Sequence, residues 1–546
     1  MAQPALPDDI LHLLCEELAD QDQFDTLFNC ACSSRVLAVP ALTHLYRSHH
    51  KAPVRGGGDD LYSLPPAIKL LTIQRWSILW RSIIASALDA TLFPYCRYIK
   101  SLDFRDLGNL LDEDQFRNKG VKQFFAKPLK QFEKTETFTT IRGKKLTRLK
   151  NDEIIDAIGE VVTQHTPMLE VISGELLASA LVRWTPRLPR LQSLELFNGK
   201  PLEDELMHAS IYEHCPQLKS LMIYTWTSEN CDEKFAKFLS ALRPNSLAEL
   251  HTIRDVRAGA ETFLALSQHA KSLDTLKLCV SNESAPFLSN LAECTALKYL
   301  SIEDLHGLID LEATQNDVFL KVVEWLTKCE NLKHLLFPSL QSGAAIAMPV
   351  LLERNIRLEH LELDNYTLKD HKKFHQALVH QKDSLKYLSL SGDTDGMFRD
   401  DLDALVDSLK QLYQLRVLKL ILPEVLSDQR LVDIINNLSM LEDLFVNGLE
   451  LNDVVLDSVA TLPKLKSVTL SGISKFTVDG LLKFVGSLGP GNAGIRVTID
   501  MADPDTLLPQ ESIDVIASFL ADKTGGTFDY IALRDPKVSE WEGESD

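Results

Sequence analysis

The residues able to do chemistry are thinly spread. Nine cysteines stand at Cys15, Cys30, Cys32, Cys96, Cys215, Cys231, Cys279, Cys294 and Cys329. The number is odd and no C-x-x-C pair occurs, which suits neither a disulfide framework nor a zinc ribbon. Reduced, buried thiols are expected instead. Among fifteen histidines, His49-His50 is the adjacent pair, at the end of a helical stretch. His251, His334 and His360 fall on one strand face of different repeats, without the carboxylate spacing of a metal site. No G-x-x-x-x-G-K-[ST] loop and no G-x-S-x-G elbow is present. The chain therefore reads as not an enzyme, with no catalytic residue, cofactor or metal.

What the sequence offers is a recognition surface. A short string, Leu-x-x-Leu-x-Leu, returns along the chain. Its third, fifth and seventh positions hold Glu195, Phe197, Tyr224, Glu249, Tyr299, Glu303, Glu362, Asp364, Tyr387, Asp443 and Phe445. Lys277 and Lys419 are the few cations there. Acids interleaved with aromatic rings suit a basic partner segment, the rings supplying contact area. We take these as the candidate substrate-binding residues. A plain solvated sheet face would also carry many such acids.

The string has a structural cause. It appears at Leu191/Leu194/Leu196, Leu218/Leu221/Ile223, Leu273/Leu276/Leu278, Leu297/Leu300/Ile302, Leu332/Leu335/Phe337 and Leu358/Leu361/Leu363. It continues at Leu385/Leu388/Leu390, Leu415/Leu418/Leu420, Leu441/Leu444/Val446 and Leu465/Val468/Leu470, with a degenerate copy at Leu247/Leu250. The mean step is about 27 residues, the period of leucine-rich repeats. Strand side chains alternate faces, so positions four and six point the same way, into a core, and position one packs in from the turn before. Between strings the apolar spacing becomes helical, as in Phe235, Phe238, Leu239 and Leu242. Burying a leucine is worth roughly 1.5–3 kcal/mol, too little for one repeat to fold alone, so repeats must stack. Irregular copies at Ile99/Leu102/Phe104, Leu169/Ile172 and Phe528/Ile531/Leu533, with a strand at Ile495/Val497/Ile499, mark the ends.

The chain is long enough for several domains or one repeat array: 546 residues, with 57 basic against 77 acidic side chains and a net charge of −20. That balance argues against broad nucleic-acid or anionic-membrane binding. No run of about 18 apolar residues suggests a membrane span. No signal peptide is expected at Met1-Ala2-Gln3-Pro4, which lacks a basic n-region and an apolar h-region. A cytoplasmic or nuclear location is expected.

The first fifty residues are helical throughout. Leu6-Pro7-Asp8-Asp9 opens a helix with Ile10, Leu11, Leu14 and Leu18 on one face. Phe24, Leu27, Phe28 and Ala31 mark a second helix, and Pro40 opens a third with Leu42, Leu45 and Tyr46. Three short helices make a poor autonomous core, so a partner is expected.

These residues resemble an F-box: Leu6-Pro7-Asp8-Asp9-Ile10-Leu11, then Leu14 and Leu18, Ser34-Arg35 and Leu45-Tyr46-Arg47. Ser33 and Leu37 depart from the motif, which has a small aliphatic and an aromatic there. The strings His214-Cys215-Pro216-Gln217-Leu218 and Lys328-Cys329-Glu330-Asn331-Leu332 resemble the cysteine-containing repeats frequent in F-box proteins. The order of parts, with Trp76–Tyr98, is similar to fungal F-box proteins. The resemblance implies an α/β fold: a three-helix F-box over 1–50, a linker and capping helix over 51–98, and a leucine-rich-repeat horseshoe over 99–533. The sheet would lie inside and the helices outside, with an acidic tail over 534–546. It further implies a non-catalytic substrate receptor of a Skp–cullin–F-box ubiquitin ligase, in a pathway of proteasomal degradation. Leu6, Pro7, Ile10, Leu11, Leu14 and Leu18 would contact the Skp-type adaptor, supported by Leu27 and Leu45, with a cullin joined through the adaptor. The target would be an unknown protein, with a basic segment suited to the acidic sheet face. Two other readings remain open. One is a repeat scaffold acting without a ligase; the other is a leucine-rich-repeat GTPase activator.

One segment breaks the acidic pattern. Residues 117–150 carry eleven cations against Glu133 and Glu136, a local +9. A basic inserted loop over 105–150 is expected, either meeting an acidic partner or nucleic acid or simply solvated. A smaller insertion is expected near Asp304–Asp317, a flexible break at Arg55–Asp60, and a helix from Pro65-Pro66 to about Leu88.

Overall fold

The computed structural model describes residues 6–51, 65–139, 145–367, 369–394, 398–422, 425–448 and 451–533. The expected break at Arg55–Asp60 and the acidic tail lie outside them. The chain forms two compact units, Met1–Arg257 and Ala258–Asp546.

The first unit begins with α1 (Asp8–Asp20), α2 (Phe24–Ser33) and α3 (Arg35–Arg47). Ser34, not Pro40, opens the third helix: its hydroxyl accepts the Val36 N–H at 3.2 Å. This side-chain cap replaces a missing backbone partner, and Pro40 lies inside the helix. Cys15, Ala19, Leu27 and Ala41 make the module's small core, with Leu18, Cys30, Ala31 and Leu45 packed against it.

Helix α4 (Pro66–Ala87) follows the expected span. Its Trp76 and Trp80 are buried, and both indole N–H groups donate to one Asp106 carboxylate oxygen, at 2.9 and 2.7 Å. The parallel strands of this unit are β1 (Ser101–Asp103), β4 (Val171–Gly174), β5 (Ser193–Asn198), β6 (Ser220–Thr225) and β7 (Glu249–Thr252), each paired with the next. The strand at β1 stops at Asp103 rather than running through Phe104. The Asp103 carboxylate accepts the N–H groups of Arg105 and Asp106 and starts a helix there.

The expected basic loop is instead folded in its described residues, with Arg142 and Lys144 lying outside them. Helix Phe104–Asp112 leads into a wide turn at Phe116–Gly120 and a short helix Val121–Phe124. An antiparallel hairpin of β2 (Thr135–Thr139) and β3 (Lys145–Leu149) follows. Phe116, Phe124, Phe125, Leu129 and Phe132 of this segment are buried. Sequence reading tracked the cations and overlooked these rings between them.

The second unit holds ten parallel strands among its described residues. They are β8 (Thr275–Val280), β9 (Tyr299–Asp304), β10 (His334–Phe337), β11 (His360–Thr367), β12 (Tyr387–Asp393), β13 (Val417–Ile421), β14 (Asp443–Asn447), β15 (Ser467–Ser474), β16 (Arg496–Ala502) and β17 (Thr527–Ala532). Each pairs with its chain neighbour. Helices alternate with the strands, and the leucines of positions one, four and six are buried. The fold is thus α/β, a leucine-rich-repeat solenoid. In the last strand the apolar string is displaced. Phe528 and Tyr530 pair with Val497 and Ile499 of the core register, while Ile531 faces out. A terminal strand lacks a following repeat, so its pattern is weakly constrained.

The structural role of the repeat cysteines follows. Cys215, Cys294 and Cys329 are buried, and their sulfurs approach carbonyls of the preceding repeat, as Cys294 does with Leu266 at 3.7 Å. Burial pushes these three thiols up to about 12, leaving them protonated and unreactive.

Candidate functional site

Strand register decides which candidate residues meet. In the second unit Tyr299, His334, His360 and Tyr387 are consecutive partners across β9 to β12. All occupy position three, so their rings stand in one row on the sheet face. Tyr299 stacks on His334 at 5.4 Å, His334 lies 5.5 Å from His360, and His360 stacks on Tyr387 at 3.8 Å and 10°. Cations close both ends: Lys277 sits 4.6 Å over Tyr299 and Lys419 5.6 Å from the Tyr387 centroid. Such contacts gain from the negative ring faces. The sequence placed these residues on a common face but not in a ladder; only equal register makes one.

Beside the ladder lies an open cavity of about 880 Å³. Its lining includes the expected Glu303, Glu362, Asp364 and Tyr387, joined by Lys419. The loop after β9 builds one wall. Buried Asp304 turns this loop by accepting the N–H groups of His306 and Ile309. Asn365, in the left-handed region at φ 58°, donates its side-chain N–H to the Gly307 carbonyl at 3.0 Å, and Gln341 donates to the same carbonyl at 3.0 Å. The expected insertion near Asp304–Asp317 is therefore a cross-linked wall carrying a short helix at Leu311–Thr314. Reading the sequence missed His306, Asn365, Ser389 and Ser391 as lining residues. Asn365 two residues beyond the last leucine of its string, where the pairing of β11 with β12 shifts register, was the available signal.

The cavity is electrostatically negative. Burial, then the Asp364 charge, raises the Glu303 carboxyl above its ordinary range. Burial, then the Glu362 charge, does the same to Asp364. Glu362 goes the other way, lowered first by its contact with His360 at 3.3 Å. Burial lowers His334, reinforced by His360. A cation brought beside carboxyls raised by burial and a neighbouring carboxylate favours their ionised form.

The remaining candidates are elsewhere. Asp443 and Phe445 lie on β14 and do not line this cavity. Glu195, Phe197, Tyr224 and Glu249 belong to the first unit. There Phe197 stacks on Tyr224 at 6.0 Å and Arg105 lies 5.2 Å over Tyr224. Arg105 comes from the helix after β1, a contributor that spacing alone did not indicate. His251 is likewise in the first unit. Among the described residues no group of His, Cys, Asp and Glu could hold a metal.

At the N-terminal module the eight adaptor candidates divide by location. Leu11, Leu18, Leu27 and Leu45 fill or flank the module's own core. Leu6, Pro7, Ile10 and Leu14 face outward; Leu6, Ile10 and Leu14 are 43%, 37% and 51% exposed. Leu13, Phe28, Val36 and Val39 are also exposed. Tyr46 turns inward: its hydroxyl meets Ser82 of α4 at 2.7 Å and its ring stacks on Tyr95 at 4.4 Å. Burial raises its hydroxyl to about 12. The module is thereby tied to α4.

No protein-family model matches this chain, and no curated protein does. Among solved structures it is similar to the yeast Rad7 and Elc1 complex, at 13% identity over 81% of this chain and 95% of that one, with a TM-score of 0.39. It is also similar to the TLR13–ssRNA13 complex, at 14% identity over 69% of this chain and 62% of that one, with a TM-score of 0.35. No described helix is long and apolar enough to cross a membrane.

Proposed function

We propose that this chain is a non-catalytic substrate receptor of a Skp–cullin–F-box ubiquitin ligase. The N-terminal module docks a Skp-type adaptor, and the repeats bind the target. One observation carries the reading: Leu6, just before an F-box-like helix, and Ile10 and Leu14 on its outward face stand exposed on a module whose core holds only a few residues. A three-helix unit of this size leaves apolar surface that a partner helix would cover.

On this reading the target is a protein with a basic segment, held by the acidic cavity and ring ladder of the second unit. Ubiquitin transfer belongs to enzymes recruited through the cullin. The receptor contributes effective concentration.

The test is co-purification of the full chain with a Skp-type adaptor, beside an Ile10→Asp/Leu14→Asp variant. Stoichiometric adaptor that disappears in the variant is expected. Absence of adaptor from both folded proteins would overturn the ligase reading. It would leave a scaffold whose first helices cap the repeats.

A further inference from the structure

A second recognition surface lies between α4 and the basic insertion. Leu70, Ile73, Ser77, Ile78 and Arg81 share one face of α4 at helical spacing. Opposite them stands the wide turn at Phe116–Gly120. The two leave a cleft of about 190 Å³, room for roughly six waters at ~30 Å³ each, or one large side chain. Leu70, Ile73, Ile78 and Phe116 give it an apolar lining. Ile78 is 60% exposed.

Three features show that the cleft is built rather than incidental. Arg81 fixes its far wall by donating to the carbonyls of Gln123, Phe124, Ala126 and Lys127. At the near wall, the Gln115 carbonyl oxygen Oε1 is buried and has no hydrogen-bond partner. A buried acceptor left so is unfavourable. Lastly, Lys119 on the rim and Lys122 nearby are exposed, with no acidic group in ion-pair range among the described residues. Other cations of the insertion do have partners, as Arg117 has Asp112 and Lys150 has Glu153.

We propose that this cleft docks an extended acidic segment of a partner protein. One large apolar side chain of that segment enters the cleft, and flanking carboxylates meet Lys119 and Lys122. The lining argues for a peptide over nucleic acid. Its apolar part is aliphatic except for Phe116, and that ring is fully buried and offers no stacking face. The −20 charge of the whole chain also repels a long polyanion, whereas a short acidic segment feels mainly the local cations within a Debye length of about 8 Å. This surface is separate from the adaptor face and from the cavity of the second unit, and it does not depend on the ligase reading.

The test is fluorescence anisotropy on the full-length chain. The probe is a fluorescein-labelled peptide of alternating Glu and Gly around one central Leu. Controls are the same peptide centred on Ala, the Lys-for-Glu peptide, and a DNA duplex. The Leu-centred acidic peptide is expected to bind, and the Ala-centred one to bind about tenfold or more weakly, from the lost apolar burial. Ile78→Asp should weaken the Leu peptide similarly, with melting unchanged because the side chain is already exposed. Lys119→Glu/Lys122→Glu should weaken it and flatten its salt dependence. No binding of the Leu peptide, equal binding of the Leu and Ala peptides, or indifference to both variants would overturn the proposal. Tighter binding of the duplex would replace it with a nucleic-acid surface.

Discussion

The N-terminal module and the repeat array are both written in periodic leucine, yet they spend it differently. In the array, Leu361, Leu388 and Leu418 are side-by-side partners on neighbouring strands, and all three are fully buried. In the module, Leu14 and Ile10 repeat at helical spacing and stay in solvent. The difference is one of supply. A stacked repeat offers its neighbours a matching apolar surface on both sides, whereas three short helices run out of covering partners. Leucine in the array therefore serves stability, and leucine on the module's outer face serves binding.

The largest effect should come from the array. Leu388→Ala opens a cavity that two neighbouring strands hold open, and should cost about 2–5 kcal/mol in a urea titration. A cost below that of an exposed substitution would break the contrast. A smaller loss is expected from Ser34→Ala, which removes the cap of α3 and should cost about 0.5–2 kcal/mol. Hydrogen exchange should show that loss confined to residues 6–51, with the repeat strands still protected; a global loss would mean that the two regions unfold together. The Ile10→Asp/Leu14→Asp variant should shift stability by no more than about 0.5 kcal/mol per site, since both side chains already meet water. A large drop in melting temperature would show the module's leucines to be structural after all.

The smallest effects are electrostatic. Hydrogen bonds from Lys333 and Lys386 hold Glu359 at about 2, below the ordinary 4.5. A lowered carboxyl contributes stability that is present above its unfolded value and lost as pH falls from there toward the folded value. Stability should thus decline between about pH 4.5 and 2, by about 0.2–1 kcal/mol for each of these half-exposed pairs. Glu359→Gln should remove that component. Glu303 and Asp364 have the opposite sign. Their raised carboxyls favour the fold in the protonated state, and that contribution is lost as pH rises through their folded values. Glu303→Gln/Asp364→Asn should therefore not lower the melting temperature at pH 7, while weakening capture of a basic target segment. Unchanged capture would count against the cavity as the target site.

Much of the fold was legible because its signal is local and repeated. Leu-x-x-Leu-x-Leu specifies a strand with one face buried, whatever stands around it, and α4 announced itself through Pro66 and its helical spacing. Irregular places were less legible. Asp103 ends β1 and Ser34 starts α3 by side-chain caps, and one side chain there outweighed the apolar pattern that suggested Phe104 and Pro40. The basic segment was read by its charge, although Phe116, Phe124, Phe125, Leu129 and Phe132 folded it.

The candidate site divides along the same line. Composition alone made one sheet face acidic and aromatic, because strand alternation assigns every third, fifth and seventh position to it. Tertiary structure alone put Tyr299, His334, His360 and Tyr387 in a single row, brought the loop wall of Gly307 and Asn365 beside Glu303 and Asp364, and left Gln115 without a partner next to α4. Which face a residue occupies depends on backbone periodicity, a property of neighbours in the chain. Which residues touch depends on register and loop path, set by packing between segments tens of residues apart, and no short spacing encodes that.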